Sequence, residues 1–72
     1  MRVRSDPEAD AVYIRLDETP VAESSEVAPG VVLDYDGEGR VVGIELLGVA
    51  ARLPTAQLKA MDFEIIDPTS SH

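Results

Sequence analysis

"VVLDYDGEGRVVGIELL", residues 31–47, decides the fold. Two runs of Val, Leu and Ile flank a polar, Gly-rich tetrapeptide, Asp36-Gly37-Glu38-Gly39. Strand composition on both sides of such a turn predicts a β-hairpin. With Asp36 to Gly39 as a four-residue loop, Tyr35 faces Arg40, Leu33 faces Val42 and Val31 faces Ile44, which makes one apolar face. Asp34 opposite Val41 and Val32 opposite Gly43 form the reverse, and Leu46 extends the apolar side. A slip of one residue would mix the two faces, so this parity is strongly preferred. Gly39 is placed to supply the positive φ that ends such a loop.

The same stretch raises a chemical question. Asp34, Asp36, Glu38, Gly39 and Glu45 satisfy the spacing of an EF-hand calcium loop, with Glu at the fifth position. An EF-hand loop, however, joins two helices, and here both flanks have strand composition. In a hairpin, Glu45 is carried up the ladder, away from an ion at the tip. The expected reading is an acidic hairpin turn. Weak calcium-type binding by Asp34, Asp36 and Glu38 is the alternative.

Outward from this hairpin, "MRVRS" (1–5) places Met1, Val3 and Ser5 on one side and Arg2 and Arg4 on the other. "DPEAD" (6–10) has turn chemistry. "AVYIRL" (11–16) alternates Val12, Ile14 and Leu16 against Ala11, Tyr13 and Arg15, a half-buried strand. "DETPVAESSEVAPG" (17–30) has no sustained period and reads as a long connection, with a short extended piece near Val27. Beyond Gly48 the composition turns helical. Pro54 interrupts the run, and a short helix is expected over residues 55–61, with Leu53, Leu58 and Met61 toward the sheet. "FEII" (63–66) is a candidate terminal strand or a tail that packs on a partner, and 68–72 a frayed end. The expected fold is α+β: an antiparallel meander of four strands with one short C-terminal helix, a single domain over residues 1–67.

Composition narrows the function. A chain of 72 residues with no cysteine has neither a disulfide framework nor a thiolate metal cluster to compensate for a small core. Aromatics are only 4%, so the core is expected from Val, Leu, Ile and Ala, and a homodimer is expected to supply the missing burial. Six Lys and Arg against fourteen Asp and Glu give a net charge of −8, which disfavours nucleic acid and anionic membranes and suits a basic protein partner. The N-terminal ten residues turn polar too early for a signal peptide, and no apolar run is long enough for a bilayer, so a cytoplasmic protein is expected.

Catalytic constellations are sparse. Asp34 with Asp36, or Asp10 with Asp34 if their hairpins adjoin, could do acid–base chemistry of the glycosidase kind. So small a chain leaves little room for a cleft. The only histidine is His72, and no phosphate-binding glycine loop occurs. The expectation is no enzyme, no catalytic residue, no cofactor and no committed metal site.

"DPEADAVYIRL" followed by "EVAPGVVLDYDGEGRVVGIELLG" resembles a family of small prokaryotic proteins catalogued as domain of unknown function 2283. The resemblance rests on Asp6, Ala9-Asp10-Ala11, Tyr13-Ile14, Pro29-Gly30, Asp34-Tyr35-Asp36, Gly39 and Gly43-Ile44-Glu45, and covers about residues 1–50. It implies a compact β-rich domain without established catalytic residues, and an interaction role, antitoxin-like where similar proteins lie beside toxin-like partners. Whether Asp10, Asp34, Asp36 and Glu45 serve function or only turns and register is the question the resemblance sharpens.

Overall fold

The computed structural model describes residues 1–52 and 62–66. Five antiparallel strands form one sheet: β1 (Arg2–Asp6), β2 (Ala11–Arg15), β3 (Glu23–Ala28), β4 (Val31–Tyr35) and β5 (Val41–Leu47). Their spatial order is β1-β2-β5-β4-β3. The chain makes the β1–β2 hairpin and crosses to the far edge to begin β3. It then returns by two hairpins until β5 lies between β4 and β2. Strands β2 to β5 thus form a Greek key.

This architecture corrects the expected one. The described fold is all-β, not α+β; it has five strands rather than four, and a Greek key in place of a meander. The only helical element among the described residues is a 3-10 turn, Val49–Ala51. The helix expected over residues 55–61 lies outside the described residues. Residues 62–66 carry no regular secondary structure, and Phe63, Ile65 and Ile66 are exposed. The overlooked strand is β3, ESSEVA, which is exposed along its whole length. An edge strand facing solvent on both sides has no apolar alternation to betray it, and charged residues there discourage pairing with other chains.

Residues 16–22 carry the chain across two strands, a span of about 14 Å at the usual strand spacing. Seven extended residues reach about 23 Å, so the crossing is comfortable. Arg15 organises it: its Nε donates to the Asp17 carbonyl at 2.6 Å and its Nη2 to the Thr19 carbonyl. The Leu16 amide donates to the Val42 carbonyl, and the Ala22 amide to that of Tyr35, each at 2.8 Å. The long connection is pinned at both ends.

The β4–β5 hairpin has the expected faces with a different register. The Asp36 amide donates to the Arg40 carbonyl at 2.8 Å, and the Gly39 amide to that of Asp36 at 3.1 Å, so residues 37–39 make the loop. Gly39 has φ 82, as expected. Tyr35 faces Val41 rather than Arg40, and a bulge follows, after which Asp34 pairs with Gly43, Leu33 with Ile44 and Val31 with Leu46. The ladder is displaced by two residues from the expected pairing. A two-residue shift leaves every side chain on its original face, which is why the parity survives.

Cross-strand pairing extends those faces over the sheet. Val12 pairs with Leu46 and Ile14 with Ile44, joining Val31 and Leu33 in one apolar layer. On the reverse, Arg4, Tyr13, Glu45, Val32 and Glu26 form one row, and Arg2, Arg15, Gly43, Asp34 and Ser24 the next. Only Val12, Val42 and Val49 are fully buried apolar side chains among the described residues.

Gly39 meets no atom within 4 Å where a Cβ would stand, so Gly39→Ala isolates the backbone cost of its positive φ. Equilibrium urea unfolding is expected to show a loss of about 1–2 kcal/mol. Gly37→Ala, equally open and without a positive φ, should change stability by less than about 0.5 kcal/mol.

Candidate functional site

The polar face centres on Asp34, which is 2% exposed. A carboxylate removed from water needs partners, because an unpaired buried charge costs several kcal/mol. Asp34 has them on three other strands. Ser24 Oγ, from β3, donates to Oδ1 at 2.6 Å, and the Tyr13 phenol, from β2, donates to Oδ2 at 2.7 Å. Glu45, from β5, lies close enough that the two carboxyls perturb each other.

Gly43 makes the arrangement possible. It lies between Arg15 of β2 and Asp34 of β4 on the central strand. A Cβ there would stand 3.0 Å from both Asp34 Oδ2 and the Tyr13 hydroxyl. The absent side chain is the space through which Tyr13 reaches across β5 to Asp34.

Two carboxyl groups in contact cannot both ionise cheaply, and their environments push them apart. Burial raises Asp34, but hydrogen bonds from Ser24 and Tyr13 and the bond with Glu45 outweigh it, leaving Asp34 below its ordinary value. Burial, then the hydrogen bond and charge of Asp34, raise Glu45. Of the two carboxyls, Asp34 is therefore the more readily ionised. The hydrogen bond to Asp34 likewise raises the Tyr13 phenol, which remains a donor.

Beside this network runs an open groove of about 710 Å³ over β1 and β2. Arg2, Arg4, Tyr13, Arg15, Glu18 and Glu45 line it. The Arg15 Nη1 lies 3.5 Å from the Tyr13 oxygen, and Arg2 approaches Glu18 at 3.9 Å.

The acidic residues singled out from the sequence separate into distinct roles. Asp36, 5% exposed, closes the β4–β5 turn. Its Oδ1 accepts from the amides of Glu38 (2.8 Å) and Arg40 (2.9 Å), and its Oδ2 from Arg40 Nε at 3.0 Å. The Arg40 amide, ahead of the opposing effect of burial, holds the Asp36 carboxyl below its usual range. Glu38 pairs with Arg40 at 2.7 Å. Asp10 adopts φ 53, and its Oδ1 accepts from the Ala50 amide at 2.8 Å, fastening the 3-10 turn to the start of β2. Asp10 and Asp34 are not brought together, since Asp34 sits level with Arg15, at the other end of β2. Among the described residues, no group of three or more His, Asp and Glu side chains is placed to hold a metal ion.

The pairing that sequence reasoning missed is Asp34 with Glu45. It depends on Asp34 standing opposite Gly43, and the bulge that sets this has no sequence marker. Serine in a segment read as a loop concealed Ser24 in the same way.

The family model described as Protein of unknown function (DUF2283) matches residues 2–49, two thirds of the chain. The match spans all five strands and ends at Val49, within the 3-10 turn. Neither the curated proteins nor the solved structures contain a significant match.

Tyr13→Phe strips one donor from a buried carboxylate and is expected to cost about 1–3 kcal/mol by urea unfolding. Gly43→Ala should destabilise as well, since Asp34 and Tyr13 must both shift. The carboxyl pair also predicts a pH dependence. The contribution of Asp34 is present above its ordinary value of 3.8 and is lost as pH falls through its lowered value. That of Glu45 is complete below its ordinary 4.5 and is lost as pH rises through its raised value. Glu45→Gln retains an N–H donor for Asp34 but carries no titrating proton. Its melting temperature should therefore fall less than that of the wild type as pH rises from 4.5 through the raised Glu45 value; equal falls would refute a Glu45 carboxyl raised by its position beside Asp34.

Proposed function

We propose that this chain, which belongs to the DUF2283 family, acts as a non-catalytic protein-interaction module, homodimeric through the apolar face of its sheet. The observation that carries the reading is that the described residues form a single layer. Ile14, Val31, Leu33, Ile44 and Leu46 share one face and are all only partly buried, while Val3 at its edge is 39% exposed. A sheet with one apolar face is stable when a second layer covers it, and a second copy presents a matching surface by symmetry.

The commitments of the acidic side chains support a binding role over catalysis. Asp34 and Asp36 are held by hydrogen bonds within the chain, and Asp10 secures a turn. The net charge of −8 favours a basic protein as the further partner. An antitoxin-like module would have such a partner, and its association would weaken with salt.

Sedimentation equilibrium tests the dimer. The expected mass is twice the 7.7 kDa of one chain at about 10–100 μM, a range matched to a dimer of micromolar affinity. Val3→Glu, which puts a charge at an exposed position of the apolar face, should shift the population toward monomer. A single-chain mass throughout that range, or a Val3→Glu variant that dimerises as the wild type does, would overturn the reading.

A further inference from the structure

We propose that the groove over β1 and β2 is a binding site for a small organic molecule that carries a phosphate group, received by Arg2 and Arg4. The first observation is charge placement. The chain has six Lys and Arg in all, and three of them, Arg2, Arg4 and Arg15, line this one groove of an otherwise acidic protein. Arg2 and Arg15 stand directly opposite each other in the β1–β2 ladder, and Arg4 is opposite Tyr13. Like charges directly across a ladder are destabilising, and a violated local rule marks a site where something besides folding is served. An anion seated between the guanidinium groups relieves that repulsion.

The second observation is that Asp6, Glu18 and Glu45 also line the groove, yet none forms a close ion pair with Arg2 or Arg4. Arg2 and Glu18 are 3.9 Å apart with side chains 61% and 85% exposed, a loose pair. Asp6 Oδ1 accepts from the amides of Glu8 and Ala9. Arg4 has no carboxylate within 4.0 Å among the described residues. Arg15 is fixed by the Asp17 and Thr19 carbonyls, so it contributes its charge and a rigid wall while Arg2 and Arg4 remain extensible.

The third is shape and chemistry. Guanidinium groups match the bidentate geometry of phosphate oxygens. At about 710 Å³ the groove exceeds what a bare ion fills and lies in the range that holds small organic ligands. The Tyr13 phenol and the Glu45 carboxyl at its inner wall present hydrogen-bonding groups to a polar organic body.

Isothermal titration at constant ionic strength with ribose 5-phosphate, ribose and inorganic phosphate tests this site. Ribose 5-phosphate is expected to bind saturably and more tightly than inorganic phosphate, and ribose not at all. Arg4→Gln and Arg2→Gln, both at exposed edge positions, should each weaken ribose 5-phosphate about ten-fold, the loss of one charge-assisted hydrogen bond. Their unliganded melting temperatures should equal or exceed that of the wild type, because each change removes a charge from the crowded ladder, which separates lost binding from lost folding. No saturable heat with either phosphate up to about 10 mM, weaker than any useful small-molecule site, would overturn the proposal. So would unchanged affinity in both variants. Inorganic phosphate binding as tightly as the sugar phosphate would overturn the assignment of an organic ligand.

Discussion

The buried Asp34 carboxylate is the constraint on which the polar half of the sheet depends. One side chain on β4 draws donors from β2 and β3 and perturbs the Glu45 carboxyl of β5, so four of the five strands meet at a single charge. In a domain with few buried apolar groups, such a junction specifies which strands are neighbours. An alternative pairing would leave a charged group in a dry place without donors, at a cost comparable to much of the stability of a small domain. Gly43 is part of the same device, because any larger residue on the central strand would occupy the path of the Tyr13–Asp34 hydrogen bond.

The two faces of the sheet follow different physics. On the apolar face specificity is loose: Val, Leu and Ile pack acceptably in many arrangements, and burial is roughly proportional to area. The polar face is directional, since hydrogen bonds to a buried carboxylate tolerate little change of position. The division leaves the apolar face as area to be buried and the polar face as a surface of fixed geometry.

This division also decides what was legible in the sequence. The parity of "VVLDYDGEGRVVGIELL" recovers the apolar face because side-chain alternation survives a shift of two residues. Neither the bulge between β4 and β5 nor the three-residue loop changes it. The β1–β2 hairpin was legible for the same reason, with Asp6 accepting from the amides of its turn. Strand β3 was not, because its composition is that of a loop and its strand character comes from pairing with β4. Without β3 the crossing of the chain, and hence the Greek key, was out of reach. Asp36 was legible as a turn former. Asp34, two residues away and chemically identical, is a buried junction, and only the tertiary pairing of Ser24, Tyr13 and Gly43 distinguishes them.

The features that break local rules gather on one side of the molecule. A buried charge, two mutually perturbed carboxyls and two arginines facing each other all lie on the polar face, toward β1 and β2 or at the centre. The buried charge is fully compensated within the fold and thereby becomes a structural anchor. The facing arginines are compensated only in part, Arg15 by the Asp17 and Thr19 carbonyls and Arg2 by a loose approach to Glu18. Their positions on an edge strand and its neighbour do not specify the sheet, for a pair of neutral residues would serve the ladder better. Unlike Asp34, whose burial helps decide which strands are neighbours, the facing arginines are a placement that the register of the sheet does not explain.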